Sequence, residues 1–252
     1  MKPVLILQLR PEDDASDGEY RAFLEKGQLA AGDAVRHRLE AASLTTGFSL
    51  DDFSAVIVGG GPGCVSDDPA TRDPAEARAE AEILALLPDI IARDMPFLGC
   101  CAGIGILAHH MGGDVSKARY GEPVGATTAR LTDAGRADPL LAGLPAQFDV
   151  LVGHKEAVQR VPTGVTHLMT GEACPVQMIR VKSNVYATQF HPEADGQVFA
   201  DRIRIYRGHG YFEPEEADAL TKAVLAARAE VPKQILARFV ARARGTKPQQ
   251  TH

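Results

Sequence analysis

The chain has 252 residues, 45% of them hydrophobic and 24% charged. That composition supports an ordinary core and excludes a disordered, collagen-like or coiled-coil protein. Lys and Arg number 27 against 33 Asp and Glu, a net charge of −6, which is the wrong balance for a dedicated nucleic-acid binder.

Residues 4–9 form a short apolar run that predicts a buried strand. The run is too short for a signal peptide and lacks a small-residue cleavage site. Glu12, Asp13, Asp14, Asp17 and Glu19 follow as an acidic cluster and read as a solvated loop, with a mobile edge near the site as the other reading. Residues 55–58 predict a second strand, ending in Gly59-Gly60-Gly61-Pro62-Gly63. Asp67-Asp68-Pro69 offers a helix start. Ile83, Leu84, Leu87, Ile90 and Ile91 then recur at helical spacing, with a kink expected at Pro88. Residues 96–98 predict a strand running into Gly99. Residues 102–111 are apolar almost all round, the pattern of a buried helix, and Gly112-Gly113 stops it.

From residue 127 the texture changes. Residues 127–131, 148–152, 165–170, 175–181 and 185–190 read as successive strands, and 198–206 as a helix. Leu220, Val224 and Leu225, then Ile235, Leu236, Phe239 and Val240, mark two amphipathic helices, with Pro232 opening the second. Residues 245–252 read as a frayed tail. Strand, loop and helix in alternation predict an α/β fold. Its central sheet is mostly parallel with helices on both faces, plus additional strands and two C-terminal helices. The expected organisation is one unit over 1–209 and a helical extension over 210–252 packed on the same domain. No stretch reaches the ~18 apolar residues of a membrane span. Four cysteines (64, 100, 101, 174) form no C-x-x-C pair, so a zinc site is not expected and a reducing, cytoplasmic setting is. His109 and His110 are adjacent on a predicted helix and point ~100° apart, a poor metal chelate.

Three strand ends carry chemistry. Gly99-Cys100-Cys101-Ala102-Gly103 is G-x-C-x-G between a strand and a helix, the counterpart of the strained G-x-S-x-G elbow. By register Cys101 is the nucleophile and Cys100 packs inward. The Ala102 N–H would then face the reacting carbonyl oxygen. The rival reading is two buried cysteines in a glycine-rich turn. Gln189-Phe190-His191-Pro192-Glu193 supplies a base, His191, and a carboxylate to hold it. The rival there is a strand-ending His beside a solvated Glu. Gly59–Gly63 could aim an N–H into an oxyanion hole. A phosphate loop is disfavoured because no G-K-[ST] follows, and a plain turn remains open.

Together these motifs resemble the class I glutamine amidotransferases. The elbow resembles the family's nucleophile turn, Gly60-Gly61-Pro62-Gly63 its oxyanion loop, and Phe190-His191-Pro192-Glu193 its His-Pro-Glu signature. The likeness extends through Lys117–Gly121, Gly153–Val158 and Cys174–Gln177, in the manner of stand-alone GMP-synthase-like members. It covers roughly residues 1–209. The resemblance implies a flavodoxin-like fold and a Cys101–His191–Glu193 triad. It also implies oxyanion donors at Gly61 and Ala102, with Gly60 beside them, and a substrate cradle at Tyr120 and Gly121. No cofactor or metal is implied. The substrate would be a γ-glutamyl amide such as glutamine, and the ammonia acceptor a separate synthase subunit, with no nucleic acid or membrane involved. One position departs from the pattern. The family usually carries Gln two residues after the elbow's second glycine, and Gly105 stands there. That leaves open a γ-glutamyl peptidase or hydrolase with another substrate, or a binding module that does not turn over.

Overall fold

The computed structural model describes residues 1–210 and 212–247. Its elements in chain order begin with β1 (Val4–Gln8), α1 (Asp13–Lys26), β2 (Ala34–Arg38) and β3 (Ala55–Val58). There follow α2 (Pro74–Ala92), β4 (Phe97–Cys100), α3 (Ala102–His110), β5 (Asp114–Ser116), β6 (Glu122–Leu131) and α4 (Asp133–Ala137). Next come β7 (Gln147–His154), β8 (Ala157–Arg160), β9 (Val165–Gly171), β10 (Met178–Val181) and β11 (Val185–Thr188). The described chain ends with α5 (Gly196–Tyr206), α6 (Ala217–Ala226) and α7 (Pro232–Ala243).

Nine strands form one sheet in the order β2-β1-β3-β4-β11-β10-β9-β6-β7, and β5 pairs with β8 apart from it. The strands from β2 to β11 run parallel. Those from β10 to β7 continue the sheet antiparallel as the additional strands. The parallel strands read as continuous apolar runs because both of their faces are covered. In β1, Val4 and Ile6 join Phe23 of α1 and Ile235, Leu236 and Phe239 of α7 in one core. Leu5 and Leu7 join Ile83, Leu87 and Ile90 of α2 and Ile104 of α3 in the other. The period of two thus sends successive residues to opposite layers. A third, smaller cluster joins Leu151 of β7 to Phe199 and Ile203 of α5 and Val224 of α6.

Several local expectations are corrected. The acidic cluster is not a solvated loop. It opens α1, and Glu19 is fully buried. Helical spacing puts Ala15, Glu19, Ala22 and Phe23 on one inward face, and tertiary partners for Glu19 make its burial tolerable. The helix expected from Asp67 begins at Pro74 instead. Asp73 caps it by accepting from the N–H groups of Ala75 and Glu76, whereas Asp67 and Asp68 accept backbone N–H groups within the preceding turn. The helix continues past Pro88, which is exposed. Strands β2, β5 and β8 have no counterpart in the sequence reading. In β2, Ala34 and Val35 are followed by Arg36, His37 and Arg38, which is no apolar run. Of the predicted tail, residues 248–252 lie outside the described residues, while the Thr246 N–H donates to the Ala241 carbonyl at 2.8 Å.

Candidate active site

Parallel pairing aligns the carboxyl ends of β3, β4 and β11, with Val58 beside Gly99 and Thr188 beside Cys100. Ligand sites of open α/β sheets lie outside such ends. Here the three chemical motifs of the sequence leave the sheet side by side.

Cys101 holds φ 55, ψ −91, a conformation that L-residues avoid. Its N–H donates to the Thr188 carbonyl at 2.8 Å, tying the turn to β11. The turn needs the glycine before it. A Cβ on Gly99 would come within 2.8 Å of the Gly103 backbone, whereas one on Gly103 would meet Val58 at an ordinary 3.7 Å. The Cys101 thiol lies 4.0 Å from the carbonyl oxygen of Gly153, the first residue of the family-like segment 153–158. Burial pushes the thiol up to about 11, against the opposing pull of Arg10 and Arg202. Cys100 is fully buried, as its register requires.

His191 is buried, and its Nδ1 lies 2.8 Å from Glu193 Oε1. Burial alone would raise the Glu193 carboxyl, but His191 and the Arg202 guanidinium hold it well below the usual carboxylate range. An ionised carboxylate only accepts, so Nδ1 carries the hydrogen and Nε2 is left as the basic nitrogen. Burial lowers the imidazole from its ordinary value, with Arg202 and Arg10 adding to the effect and Glu193 opposing it. The Phe199 ring meets the imidazole edge to face, with centroids 5.5 Å apart.

The glycine loop divides its roles. The Gly60 N–H donates to Glu19 Oε1 at 3.2 Å, which ties the loop to α1. The Gly60 α-carbon is pressed against the site, since a Cβ there would meet Arg10 and the His191 ring within 2.7 Å. Gly61 packs on Leu9, where a Cβ would be 2.6 Å from the Leu9 side chain. Gly63 and Ala102 line one cavity together with Val65, Glu76 and Glu156.

Tyr120, at φ 70, and Gly121 precede β6. A Cβ on Gly121 would be 3.0 Å from the Lys155 carbonyl oxygen, so the segment lies against the loop after β7. Next to it Glu122 accepts from Gln177 Nε2 at 2.7 Å, and its Oε2 lies 3.0 Å from His154 Nε2. His154 Nδ1 donates to the Glu156 carbonyl at 2.8 Å. Cys174 lies near, its sulfur and the Glu122 and His154 donor atoms falling within 4.8 Å of one another. Through Glu122 and His154 these contacts join the Tyr120 segment to the 153–156 loop, so the group works as a buried brace.

Gly105 is filled from outside. A Cβ there would come 2.6 Å from Glu156 Oε1. The Glu156 carboxylate accepts from the N–H groups of Val65 and Ser66 and from the Ser66 hydroxyl, at 2.7–3.1 Å. A charged side chain from another segment therefore occupies the start of the space that a side chain at 105 would take. Among the described residues, no helix is long and apolar enough to cross a membrane.

Comparison with known proteins gives a consistent answer. The family model described as glutamine amidotransferase class-I matches residues 30–204. A GMP synthase (glutamine-hydrolyzing) subunit from Sulfolobus acidocaldarius is 31% identical over 200 residues, covering 75% of this chain and 95% of that protein. The GMP synthase (glutamine-hydrolyzing) of Thermosipho africanus is 34% identical over 152 residues, 60% of this chain. The chain spans 26% of that longer relative's length. A glutamine amidotransferase structure from Thermotoga maritima superposes with a TM-score of 0.74 at 18% identity, covering 96% of this chain and 98% of that one. A glutamine amidotransferase structure from Methylobacillus flagellatus gives 0.72 at 22% identity, covering 100% and 98%. The fold, the order of its motifs and the extent of these matches place this chain in the class I glutamine amidotransferase family.

Proposed function

We propose that the protein releases ammonia from a γ-glutamyl amide, glutamine first among the candidates, through a thioester on Cys101. The observation that carries this reading is the strained Cys101 turn set beside the His191–Glu193 pair at adjoining parallel strand ends. His191 Nε2 takes the Cys101 proton, and the thiolate attacks the amide carbonyl. The Gly61 and Ala102 N–H groups meet the oxyanion, each such donor being worth ~2.7–4 kcal/mol of barrier. His191 returns the proton to the leaving nitrogen, and ammonia departs. Water, deprotonated by His191, then hydrolyses the thioester to the carboxylic acid and restores the thiol. Glu193 keeps the imidazole in the required tautomer. Tyr120 and Gly121 flank the substrate from the braced segment.

The ammonia acceptor in this reading is a separate synthase chain. The Sulfolobus acidocaldarius relative is itself a synthase subunit, matched over 95% of its length, and supports that arrangement. We read residues 1–209 as the amidotransferase unit, in keeping with a family match that ends at residue 204. Residues 210–252 are then the extension, whose α7 packs its apolar face onto the sheet.

The occupied space at Gly105 favours a second reading, a γ-glutamyl hydrolase with a substrate other than glutamine. Intact-protein mass spectrometry with 6-diazo-5-oxo-norleucine, beside ammonia release from glutamine, separates the two. A single adduct and ammonia release, both lost in Cys101→Ser, are expected. No adduct, with cleavage of γ-glutamyl peptides that still depends on Cys101, would move the assignment to the second reading. Hydrolysis unchanged in Cys101→Ser would remove both.

A further inference from the structure

Behind the three motifs lies a cluster of buried charges. Glu193 Oε1 accepts not only from His191 but also from Arg202 Nη2 of α5, at 2.8 Å. The same Nη2 lies 3.7 Å from Glu19 Oε1 of α1. Glu19 Oε1 accepts from Arg10 Nε at 2.9 Å and from the Gly60 N–H at 3.2 Å, and its Oε2 accepts from Gln8 at 3.0 Å. Arg10 Nη1 donates to the Tyr206 hydroxyl at 3.1 Å. Arg10, Glu19, Glu193 and Arg202 are all buried.

We propose that Arg202, acting through Glu193, is a positioning residue that keeps His191 neutral and ready as a base in the resting protein. The proposal rests on the reading of Cys101, His191 and Glu193 as a catalytic triad. Its ground is a count of charges. Two guanidinium groups and two carboxylates sum to zero when the imidazole is neutral. A carboxylate alone beside a buried histidine would favour the imidazolium, and an imidazolium cannot take the thiol proton. Arg202 shares the oxygen that His191 uses, so Glu193 orients the ring while its charge is already balanced. Protonating His191 would then leave a net positive charge in a buried space, which is costly.

The other groups around the imidazole leave this count intact. Phe199 contributes a ring edge, and burial keeps the Cys101 thiol, at the adjoining strand end, protonated. Arg10 reaches from the end of β1 and is balanced by Glu19, with Tyr206 behind it. Burial, then Arg202 and Arg10, lower the imidazole against the pull of Glu193, in agreement with the count. Stability alone is a weak reason for a buried Arg202. Its Nε and Nη1 find no hydrogen-bond partner among the described residues, and apolar side chains usually replace buried ion pairs without loss. The cluster also reaches the oxyanion loop through Gly60, so one set of charges positions both the base and the loop.

The test reads the His191 ring directly by NMR, its signal identified by its loss in His191→Asn. Arg202→Met leaves the cluster at −1, and the titration midpoint should rise by about one pH unit. Glu19→Gln leaves it at +1, and the midpoint should fall. Arg202→Lys keeps the charge, and its midpoint should stay near wild type. The acid limb of the acylation profile should follow the midpoint in each variant. General loosening of the fold would move Arg202→Met and Glu19→Gln the same way. Movement in one direction, or none in variants that unfold cooperatively, would overturn the proposal. Should Glu19→Gln fail to fold, the contrast of Arg202→Met with Arg202→Lys still decides it. Failure of the triad reading is recognised separately, by Cys101 acylation that does not change in His191→Asn.

Discussion

A thiol pushed up to about 11 by burial is a weak nucleophile until a base removes its proton. In the proposed reaction, burial of both groups then favours a neutral thiol and a neutral imidazole over a preformed ion pair. Alkylation of Cys101 by iodoacetamide should accordingly rise about tenfold per pH unit from 7 to 9. Labelling that stays level across that window, read by mass spectrometry, would show a thiolate already present. The contrast with Cys64 is instructive. Burial, with Glu156 adding to it, pushes that thiol up to about 12. Yet Cys64 holds no strained backbone, so its reactivity should stay low.

The element on which the proposed chemistry depends is the turn from β4 into α3. Its geometry exists because Gly99, with no Cβ, lets the strand end touch the Gly103 backbone. Gly99→Ala should cost about 1–3 kcal/mol, the usual range for overpacking, and abolish Cys101 acylation. Thermal unfolding and labelling together check this, and full activity in a folded variant would contradict it. One helical turn further on, Gly105 and Glu156 are coupled. Gly105→Gln should destabilise the protein by about 1–3 kcal/mol, because its Cβ meets the Glu156 carboxylate. With Glu156→Ala in the same chain the loss should shrink, since residues in contact are not additive. A double-mutant cycle in urea gives the coupling, and additive losses would mean that the carboxylate moves aside freely.

At the scale of the whole molecule, the sheet is held between α1 and α7 on one face and α2 and α3 on the other. Leu236 of α7 is fully buried among residues of β1, β3 and β4. Leu236→Ala should cost ~2–5 kcal/mol and lower Tm measurably by calorimetry. A negligible shift would mean that the C-terminal helix is not part of the cooperative unit. Acid stability should carry the mark of the site. His191 is lowered in the folded protein, so the unfolded chain binds the extra proton as pH falls through its ordinary value of about 6.5. Stability is then lost on acidification through that range. Glu193 is also held low, so its contribution is present above about pH 4.3 and fades below it. The decline in Tm between pH 7 and 5.5 should be shallower in His191→Asn, and equal slopes would refute this account.

The parallel strands were legible in the sequence because burial on both faces makes them unbroken apolar runs, as in residues 55–58. The candidate site was legible for a related reason. A nucleophile elbow, a glycine loop and a His-Pro-Glu turn are each built from residues adjacent in the chain, so their spacing is printed in it. The helical face of α1 was not legible, because its buried residues include Ser16 and Glu19. A carboxylate reads as solvent-exposed until its partners are known, and here they are Gln8, Arg10 and the Gly60 N–H. Strand β2 was hidden because half-exposed polar residues leave no periodic signal, and only pairing with β1 defines it. The division of labour within the glycine loop and the filling of Gly105 by Glu156 likewise join residues about 40 to 50 positions apart. Local chemistry follows from local sequence. Which nitrogen is basic, and which charge balances which, follows from side chains that meet only after the chain has folded.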